Sequence, residues 1–310
     1  MLINEFKESL SLELPLLVAL VKEGVTTNGS PYVSVTFQDK SGTIEGKLWD
    51  VKPHQKEVLK QGEVVLVKFE VLKYRGFLQL KVTDVKNVDS STIDINDYLP
   101  TGNIDVEQLK KEVYDAIDSI ESPSLNKLVK TMMEKDEKNF FEYPAATKNH
   151  HEFAGGLATH VVGMLRVGRA ISELYPVLNR DLLVAGILVH DMGKIGELTN
   201  SVVPDYSTEG RLLGHISIMQ AKVFEMANQL GLDDEDVLLL RHMILSHHGE
   251  YEFGSPVLPM IPEAEVLHLI DNLDARMEMM RKTLELVDEG TFSQRIFSLE
   301  NRSIYKASKK

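Results

Sequence analysis

Two rhythms of hydrophobic and polar residues divide this chain. Between residues 12 and 88, hydrophobic and polar positions alternate in short runs that Gly, Pro and Asn separate. This spacing predicts β-strands joined by turns. From about residue 103 onward, hydrophobic residues recur every three or four positions, which predicts amphipathic helices. We therefore expect an all-β domain followed by an all-α domain.

The first domain, residues 1–90, is expected to contain five strands. Three strands precede the polar segment VKPHQKEVLKQG, which has room for a short helix, and two strands follow it around a hinge at Arg75-Gly76. Five strands with a helix between the third and the fourth are typical of an OB-fold barrel. Residues 91–102 are polar and contain Pro and Gly, so we expect a linker there.

The second domain is expected to be helical over residues 103–310, with a loosely ordered tail from Thr291. Within it, a run of methionines offers an adaptable apolar surface on which a homo-oligomer could form. Such a run is more often part of a core. The run consists of Met277, Met279 and Met280.

Composition excludes several classes of protein. The chain has 310 residues and no cysteine, so it has no disulfide framework and fits a reducing cytoplasm. No apolar run reaches the roughly 18 residues that cross a membrane, and the first ten residues lack the pattern of a signal peptide. We therefore expect a cytoplasmic protein without a membrane partner.

The distribution of charge changes what the net charge implies. A net charge of -13 argues against a nucleic-acid partner, because phosphates are bound by Lys and Arg. However, residues 1–90 contain 12 Lys+Arg and 12 Asp+Glu, so residues 91–310 carry the whole deficit, with 22 against 35. Bound divalent cations would neutralise part of that acidity. The first domain therefore stays a candidate for binding nucleic acid.

Aromatic and basic residues are interleaved in the first domain. Aromatic rings stack on unpaired bases and lysines contact phosphates, which is how OB-folds hold single strands. Because strands alternate inward and outward, about half of the aromatic residues are expected in the barrel core. The candidate contacts to a single strand are Tyr32, Lys47, Trp49, Tyr74 and Arg75.

Histidine and aspartate residues recur along the helical domain. Imidazole and carboxylate groups bind divalent metals, and five predicted helices each carry one or two of them toward one interior. A single such histidine is more often a core or cap residue, but the ordered set favours metal binding. The predicted ligands are His160, His190, Asp191, His215, His247, His248 and Asp271, whereas His54, His150, His151, His242 and His268 fall outside the pattern.

Asp191 and Lys194 are the predicted catalytic residues. The two oxygens of a carboxylate can be shared between two metal ions, so Asp191 is the best candidate for a bridging ligand. Lys194 lies one turn later and has two candidate roles: steadying a phosphate oxygen, or serving as a cation at a helix C-terminus. The phosphate-binding motifs GxxxxGK[ST] and GxGxxG do not occur. Metal-assisted hydrolysis is therefore the leading interpretation.

The order of these residues resembles that of a known superfamily. His160, His190-Asp191 and Asp271 resemble the ligands of the HD superfamily of metal-dependent phosphohydrolases, over about residues 145–290. His215 and His247-His248 resemble the additional ligands of its two-metal members, and HDMGK matches the HDxGK pattern of the family. Together with the predicted OB-fold, the chain resembles the YhaM family of 3'-5' exoribonucleases.

The resemblance implies a set of roles and partners. It places His160, His190, Asp191 and Asp271 on one metal, and Asp191, His215, His247 and His248 on the other. It implies manganese, while iron, cobalt, magnesium and zinc stay open, as does the sharing of His247 and His248. It also implies hydrolysis of single-stranded RNA from the 3' end, with single-stranded DNA as a second candidate strand.

Two other functions stay open at this point. One is a phosphodiesterase or phosphatase of the HD type that acts on a small nucleotide and uses the OB domain for regulation. The other is a protein that binds single-stranded nucleic acid without catalysis and uses its metal site for structure.

Overall fold

The computed structural model describes residues 1–25, 29–74, 77–89, 93–99, 105–145, 153–199, 204–285 and 287–308. The chain forms two compact units, Met1–Asn103 and Ile104–Lys310. In the described part of the chain, no helix has both the length and the apolar character needed to cross a membrane.

The first unit is a closed five-stranded barrel with the strand order β1-β2-β3-β5-β4. Neighbouring strands are antiparallel except β3 and β5, which are parallel. A short helix, α1, separates β3 from β4, as the polar segment predicted. This is the predicted OB-fold. The elements are β1 (Ser11–Val25), β2 (Pro31–Asp39), β3 (Gly42–Trp49), α1 (Pro53–Val58), β4 (Val64–Tyr74) and β5 (Phe77–Asn87).

The alternation of side chains decides which aromatic residues enter the barrel core. On β2, Val33, Val35 and Phe37 are buried while the residues between them are partly exposed. Phe37 and Phe69 are the two core members among the six aromatic residues from Tyr32 to Phe77, fewer than the expected half. The others stay outside because they occupy outward positions of β2 and β3 or lie at the adjoining ends of β4 and β5.

The predicted linker is partly folded. Ile95–Tyr98 form a 3-10 helix, and the amide Nε2 of Gln38 on β2 donates a hydrogen bond to the carbonyl oxygen of Tyr98 at 3.2 Å. The described part of residues 91–102 is therefore attached to the barrel. The Pro and Gly that suggested a linker lie outside the described residues.

The second unit is helical. Side chains of Asp105, Asn179, Ser207 and Asp234 accept hydrogen bonds from backbone N–H groups at the starts of four helices, which satisfies donors that a helix start leaves unpaired. The helices are α2 (Val106–Asp118), α3 (Pro123–Glu142), α4 (Gly156–Leu174), α5 (Arg180–Val189), α6 (Lys194–Glu197), α7 (Thr208–Leu230), α8 (Glu235–Ser246) and α9 (Pro262–Glu285).

Helix α5 lies at the centre of this unit. It is apolar on every side, and all of its residues from Leu182 to Val189 are buried, as expected of a helix that other helices surround. Its C-terminal end therefore brings the following residues, His190 and Asp191, into the interior.

The C-terminal residues form a hairpin, contrary to the expected loose tail. Backbone hydrogen bonds join two antiparallel arms within residues 290–306, for example between Ser293 N and Ile304 O at 2.9 Å and between Ile296 N and Arg302 O at 2.9 Å. At its tip Leu299 is 0% exposed. A single buried leucine carries little signal in a polar sequence, so the periodicity of the tail did not reveal this packing.

The packing of the C-terminal hairpin predicts a difference between two neighbouring substitutions. Leu299→Ala should lower the free energy of unfolding of the helical unit by about 2 to 5 kcal/mol, because it leaves a cavity. Phe297→Ala should change it by about 0.5 kcal/mol or less, because Phe297 is 86% exposed. Urea unfolding followed by far-UV circular dichroism measures both values, and equal values would contradict the packed hairpin.

Candidate metal centre and nucleic-acid interface

Five helices bring the predicted metal ligands together around Asp191. His160 projects from α4, and His190 and Asp191 directly follow α5. His215 lies in α7 just after Gly214, where a backbone φ of 71° interrupts the helix. His247 and His248 follow α8, and Asp271 lies in α9. Residues that are up to 111 positions apart in the chain, from 160 to 271, thus meet in one interior.

The carboxylate of Asp191 separates the ligand atoms into two groups. Its Oδ2 lies 3.8 Å from His160 Nε2 and 3.5 Å from His190 Nε2. Its Oδ1 lies 3.6 Å from His215 Nε2 and 3.8 Å from His247 Nε2. The ligand atoms of His160, His190 and Asp191 form one compact cluster, and those of His215, His247 and His248 form another.

Three of the histidines are oriented by backbone carbonyl groups. The Nδ1 atoms of His190, His247 and His248 lie 2.9, 2.8 and 2.6 Å from the carbonyl oxygens of Ile187, Ile244 and Phe253. A carbonyl oxygen only accepts, so each Nδ1 carries the proton. The lone pair of each imidazole is therefore on Nε2, the atom that metals bind in such arrangements.

Two further histidines are oriented by carboxylates that the sequence did not reveal. His160 Nδ1 lies 2.7 Å from Asp274 Oδ2, and His215 Nδ1 lies 3.0 Å from Glu197 Oε1. Glu197 also accepts a hydrogen bond from the backbone N–H of His215 at 3.0 Å. Such carboxylates fix the imidazole and raise its basicity toward a metal. Asp274 lies one helical turn after Asp271, and that spacing was the available signal for it.

The inner atoms of the cluster fit a bound cation. Among the described residues, the Nε2 atoms of His190, His215 and His247 and the Oδ1 atom of Asp191 are buried without a hydrogen-bond partner. Buried acceptors without partners are costly and rare in folded proteins. A divalent metal would satisfy all of them, since neutral imidazole and carboxylate are its usual ligands. The donor atoms of the cluster therefore fit a divalent metal.

Burial and nearby charges set the protonation states of the site. Burial lowers the pKa of His190 and His248 and holds the pKa of His247 well below its ordinary value, so these imidazoles stay neutral. Burial alone would raise the pKa of Asp191, but the neighbouring Lys194 ammonium keeps it well below its ordinary value. Burial likewise opposes a charge on His160, yet hydrogen bonds with Asp271 and Asp274 raise its pKa to about 9.

A tight turn places His190 and Asp191. Helix α5 ends at Val189, whereas the apolar run DLLVAGILVHDMGK predicts a helix that ends four residues later, at Gly193. Hydrogen bonds from Met192 N to Val189 O and from Lys194 N to Asp191 O continue the chain into α6. Gly193 has a φ of -61°, so it is not a left-handed cap. Instead, a Cβ there would lie 2.2 Å from the carbonyl oxygen of His215, and glycine lets α7 approach the turn.

Lys194 belongs to the same site. It is the first residue of α6, a helix of four residues, so the alternative role of a cation at a helix C-terminus stays open. Its Nζ lies 2.6 Å from Asp191 Oδ2. Lys194 also lines a cleft of about 530 Å³ together with His215, His248 and Asp271. A substrate in this cleft would meet both the metal ligands and the ammonium group.

Three of the five candidate strand contacts lie together on the barrel. Tyr32 and Trp49 are partners across β2 and β3, and their ring centroids are 5.0 Å apart. The Nζ of Lys47 lies 5.9 Å from the centroid of Tyr32 and 6.0 Å from that of Trp49. Trp49 is 47% exposed. Gly24 gives the Tyr32 ring its space, since a Cβ there would lie 2.5 Å from it.

Tyr74 lies elsewhere on the barrel. It is 54% exposed and pairs with Phe77 at the start of β5, whereas Leu48 beside Trp49 pairs with Val82. Five residues of strand correspond to about 17 Å. Tyr74 is therefore separate from the Tyr32-Lys47-Trp49 cluster. Arg75 lies outside the described residues.

Comparisons with known proteins place this chain in a family. Residues 157–276 match the HD domain family, and all seven predicted metal ligands lie inside this range. The chain is 46% identical to the 3'-5' exoribonuclease YhaM of Bacillus subtilis (strain 168) over 292 residues, which cover 94% of this chain and 93% of that protein. The chain belongs to the YhaM family of 3'-5' exoribonucleases.

The comparisons found further similar proteins. The 3'-5' exoribonuclease YhaM of Geobacillus sp. (strain WCH70) is 44% identical over 95% of this chain and 91% of its own length. Among solved structures, the second OB-fold domain of replication protein A from Methanococcus maripaludis covers 30% of this chain and 98% of its own, with 22% identity and a TM-score of 0.24. The two YhaM relatives confirm the predicted resemblance to the YhaM family.

The carboxylate behind His160 predicts an effect on metal affinity. Asp274→Ala should weaken binding of Mn²⁺ by about 10- to 100-fold, because His160 loses the group that orients it. Glu265→Ala is the matched control, since Glu265 lies on the same helix and is exposed. Titration calorimetry measures both affinities. An Asp274→Ala protein that binds Mn²⁺ as tightly as the control would show that Asp274 does not support the site.

Proposed function

We propose that this protein hydrolyses single-stranded RNA from its 3' end by a metal-dependent reaction. The convergence of imidazole and carboxylate atoms on Asp191 supports this proposal most strongly, in a chain whose relatives along nearly its whole length are 3'-5' exoribonucleases. Neither a hydrolase for small nucleotides nor a binding protein with a structural metal is favoured by these relatives.

Two metal ions are proposed, one at each oxygen of Asp191. The ion near Oδ2 would be held by His160, His190 and Asp271, and the ion near Oδ1 by His215, His247 and His248. The separation of the ligand atoms into two clusters supports this division and favours a place for His247 and His248 on the same ion. Manganese is the proposed metal, on the basis of the family resemblance. Iron, cobalt, magnesium and zinc bind the same donor types.

The residues of the site would have different roles in hydrolysis. When bound, divalent metals would supply an activated water as the nucleophile and would stabilise charge on the phosphate oxygens. Asp191 is ionised and buried, so it can hold both ions without competition from a proton. Lys194 faces the same cleft, and we propose that its ammonium group steadies a non-bridging phosphate oxygen.

The cleft and the barrel both suit a strand of nucleotides. Tyr206 and Phe253 line the cleft and are 44% and 62% exposed, so their rings are available to a base. On the barrel, the Tyr32-Lys47-Trp49 cluster offers two rings and a cation, and we propose that it captures the strand, with Tyr74 and Arg75 as further contacts. Stacking does not read the 2'-hydroxyl, so single-stranded DNA is a second candidate.

The proposal also covers where the protein is located and whether it forms a homo-oligomer. The absence of cysteine fits a cytoplasmic protein. The methionine run does not form one surface, since Met277 is 55% exposed whereas Met279 lines the cleft. A homo-oligomer would therefore use Met277 rather than the whole run.

Substitution of the bridging carboxylate tests the reaction. Asp191→Ala should abolish hydrolysis of a 3'-labelled RNA oligonucleotide in Mn²⁺ and lower the bound metal measured by elemental analysis, because both ions lose a ligand. Binding of the strand should persist, since the barrel is unchanged. An Asp191→Ala protein that digests RNA at the rate of the unmodified protein would refute the assignment.

The second ion is tested by its own histidine. His215→Ala should lower the metal content from about two ions toward one per chain and cut activity steeply. His242→Ala is the control, because His242 lies on α8 but accepts a hydrogen bond from the backbone N–H of Met260 at 3.0 Å and is not in either cluster. Elemental analysis distinguishes the two. Full metal content and activity in His215→Ala would favour a single-metal site.

Strand capture is tested on the barrel. Trp49→Ala should weaken binding of a long single-stranded RNA by about 1 to 3 kcal/mol for each stacked base that is lost. Trp49→Phe keeps a ring and should recover most of this affinity. Fluorescence anisotropy of a labelled strand, recorded at several salt concentrations, measures the effect. If the unmodified protein, Trp49→Ala and Trp49→Phe bind the strand with equal affinity, Trp49 has no role in strand capture.

A further inference from the structure

One wall of the catalytic cleft comes from the C-terminal hairpin. Ser298 and Glu300 of this hairpin line the cleft, and so does Arg276 of α9. The match to the HD domain family ends at residue 276, so the hairpin is an addition to that domain. It is anchored by the buried Leu299 and by a contact between the Ser298 hydroxyl and Met279 Sδ at 3.2 Å.

Glu300 fixes the position of the Arg276 side chain. The Nη1 and Nη2 atoms of Arg276 donate to Oε1 and Oε2 of Glu300 at 2.7 and 3.0 Å, which is a bidentate pair. Arg302 lies on the other side, with its Nη2 2.7 Å from Glu300 Oε2. A guanidinium has five N–H groups, and this pair uses two. Arg276 therefore keeps donors for a second acceptor while Glu300 limits its rotation.

The backbone at Glu300 is in an uncommon conformation. Glu300 and Asn301 have φ values of 52° and 57°, in the left-handed region that non-glycine residues seldom adopt. Such conformations persist only where the surroundings impose them, and they concentrate at functional sites. Here the left-handed pair follows Leu299 directly, so the buried leucine and the exposed carboxylate of Glu300 are held on a single tight turn.

The charges of the cleft suit a substrate with more than one phosphate. Of the described residues that line it, Lys194 and Arg276 carry fixed positive charges. Lys194 Nζ lies 2.6 Å from Asp191 Oδ2, so its ammonium group is placed to contact the phosphate that is hydrolysed. Arg276 is held on Glu300 instead. Its planar guanidinium suits the two oxygens of a phosphate.

We infer that Arg276, positioned by Glu300, binds a backbone phosphate of the strand other than the one that is hydrolysed. The C-terminal hairpin is then part of the substrate site, and Glu300 is a positioning residue. This inference rests on the proposed function, because a small nucleotide with a single phosphate has no second phosphate for Arg276 to bind.

The experiment compares three substrates in Mn²⁺: a dinucleoside monophosphate, a tetranucleotide, and the same tetranucleotide with a neutral methylphosphonate in place of the phosphate next to the scissile one. Initial release of the 3'-terminal nucleotide gives kcat and KM. The variants are Arg276→Gln, Arg276→Lys and Glu300→Gln. Arg166→Gln is the matched control, because Arg166 forms a bidentate pair with Glu112 at 2.7 and 2.9 Å and does not line the cleft.

Loss of a charged contact to the second phosphate should raise KM for the tetranucleotide about tenfold more than KM for the dinucleoside monophosphate. Compared with the ordinary tetranucleotide, the methylphosphonate substrate should have a higher KM with the unmodified protein and with Arg166→Gln. With Arg276→Gln, the two tetranucleotides should have similar KM values. Glu300→Gln should raise KM more than it lowers kcat, and Arg276→Lys should recover part of the affinity, since it restores the charge without the planar fork.

Two results would overturn the inference. One is an equal rise of KM for the dinucleoside monophosphate and the tetranucleotide. The other is a methylphosphonate effect in Arg276→Gln as large as in the unmodified protein. If circular dichroism shows that Arg276→Gln is unfolded, Glu300→Gln decides by the same comparison. If the unmodified protein hydrolyses none of the three substrates, the proposed function is refuted instead.

Discussion

The Nδ1–H hydrogen bonds of five histidines are the interaction on which this structure depends. Each bond directs an imidazole so that Nε2 faces the interior near Asp191, whether the acceptor is a carbonyl oxygen, as for His190 and His247, or a carboxylate, as for His160 and His215. Without these outer acceptors the rings would be free to turn, and the inner atoms would not share one direction. The outer acceptors thus make the metal site rigid before any metal binds.

The fold supplies these acceptors through helix ends. His190 and His247 each follow the last residue of an apolar helix, where carbonyl groups lack partners within the helix. Each imidazole donates a hydrogen bond from Nδ1 to the carbonyl oxygen three residues before it. The same geometry buries both rings, which lowers their pKa. The helix ends therefore provide orientation and neutral ligands together, and Asp191 gains its position from the tight turn that follows α5.

The convergence of the candidate ligands was predictable because their spacing and residue types carry the chemistry, and the barrel was predictable because strand alternation is a local property. The outer acceptors were not. Asp274 and Glu197 are ordinary acidic residues in the sequence, and only the folded arrangement of α9 and α6 brings them to His160 and His215. The hairpin around Leu299 was missed for a similar reason, since one buried leucine in a polar tail does not form a pattern. The end of α5 was misplaced because Gly193 serves close packing against α7 rather than a helix cap.

Asp191 is proposed to bridge two metal ions, and the proposed chemistry of the site depends on this bridge. Crystals grown with Mn²⁺ and measured for anomalous scattering test it most directly, because the signal locates the ions without reference to activity. Two peaks are expected about 3.5 to 4 Å apart, one beside each oxygen of Asp191, with His160 and His190 on one ion and His215, His247 and His248 on the other. A single peak, or two peaks that do not share the Asp191 carboxylate, would contradict it.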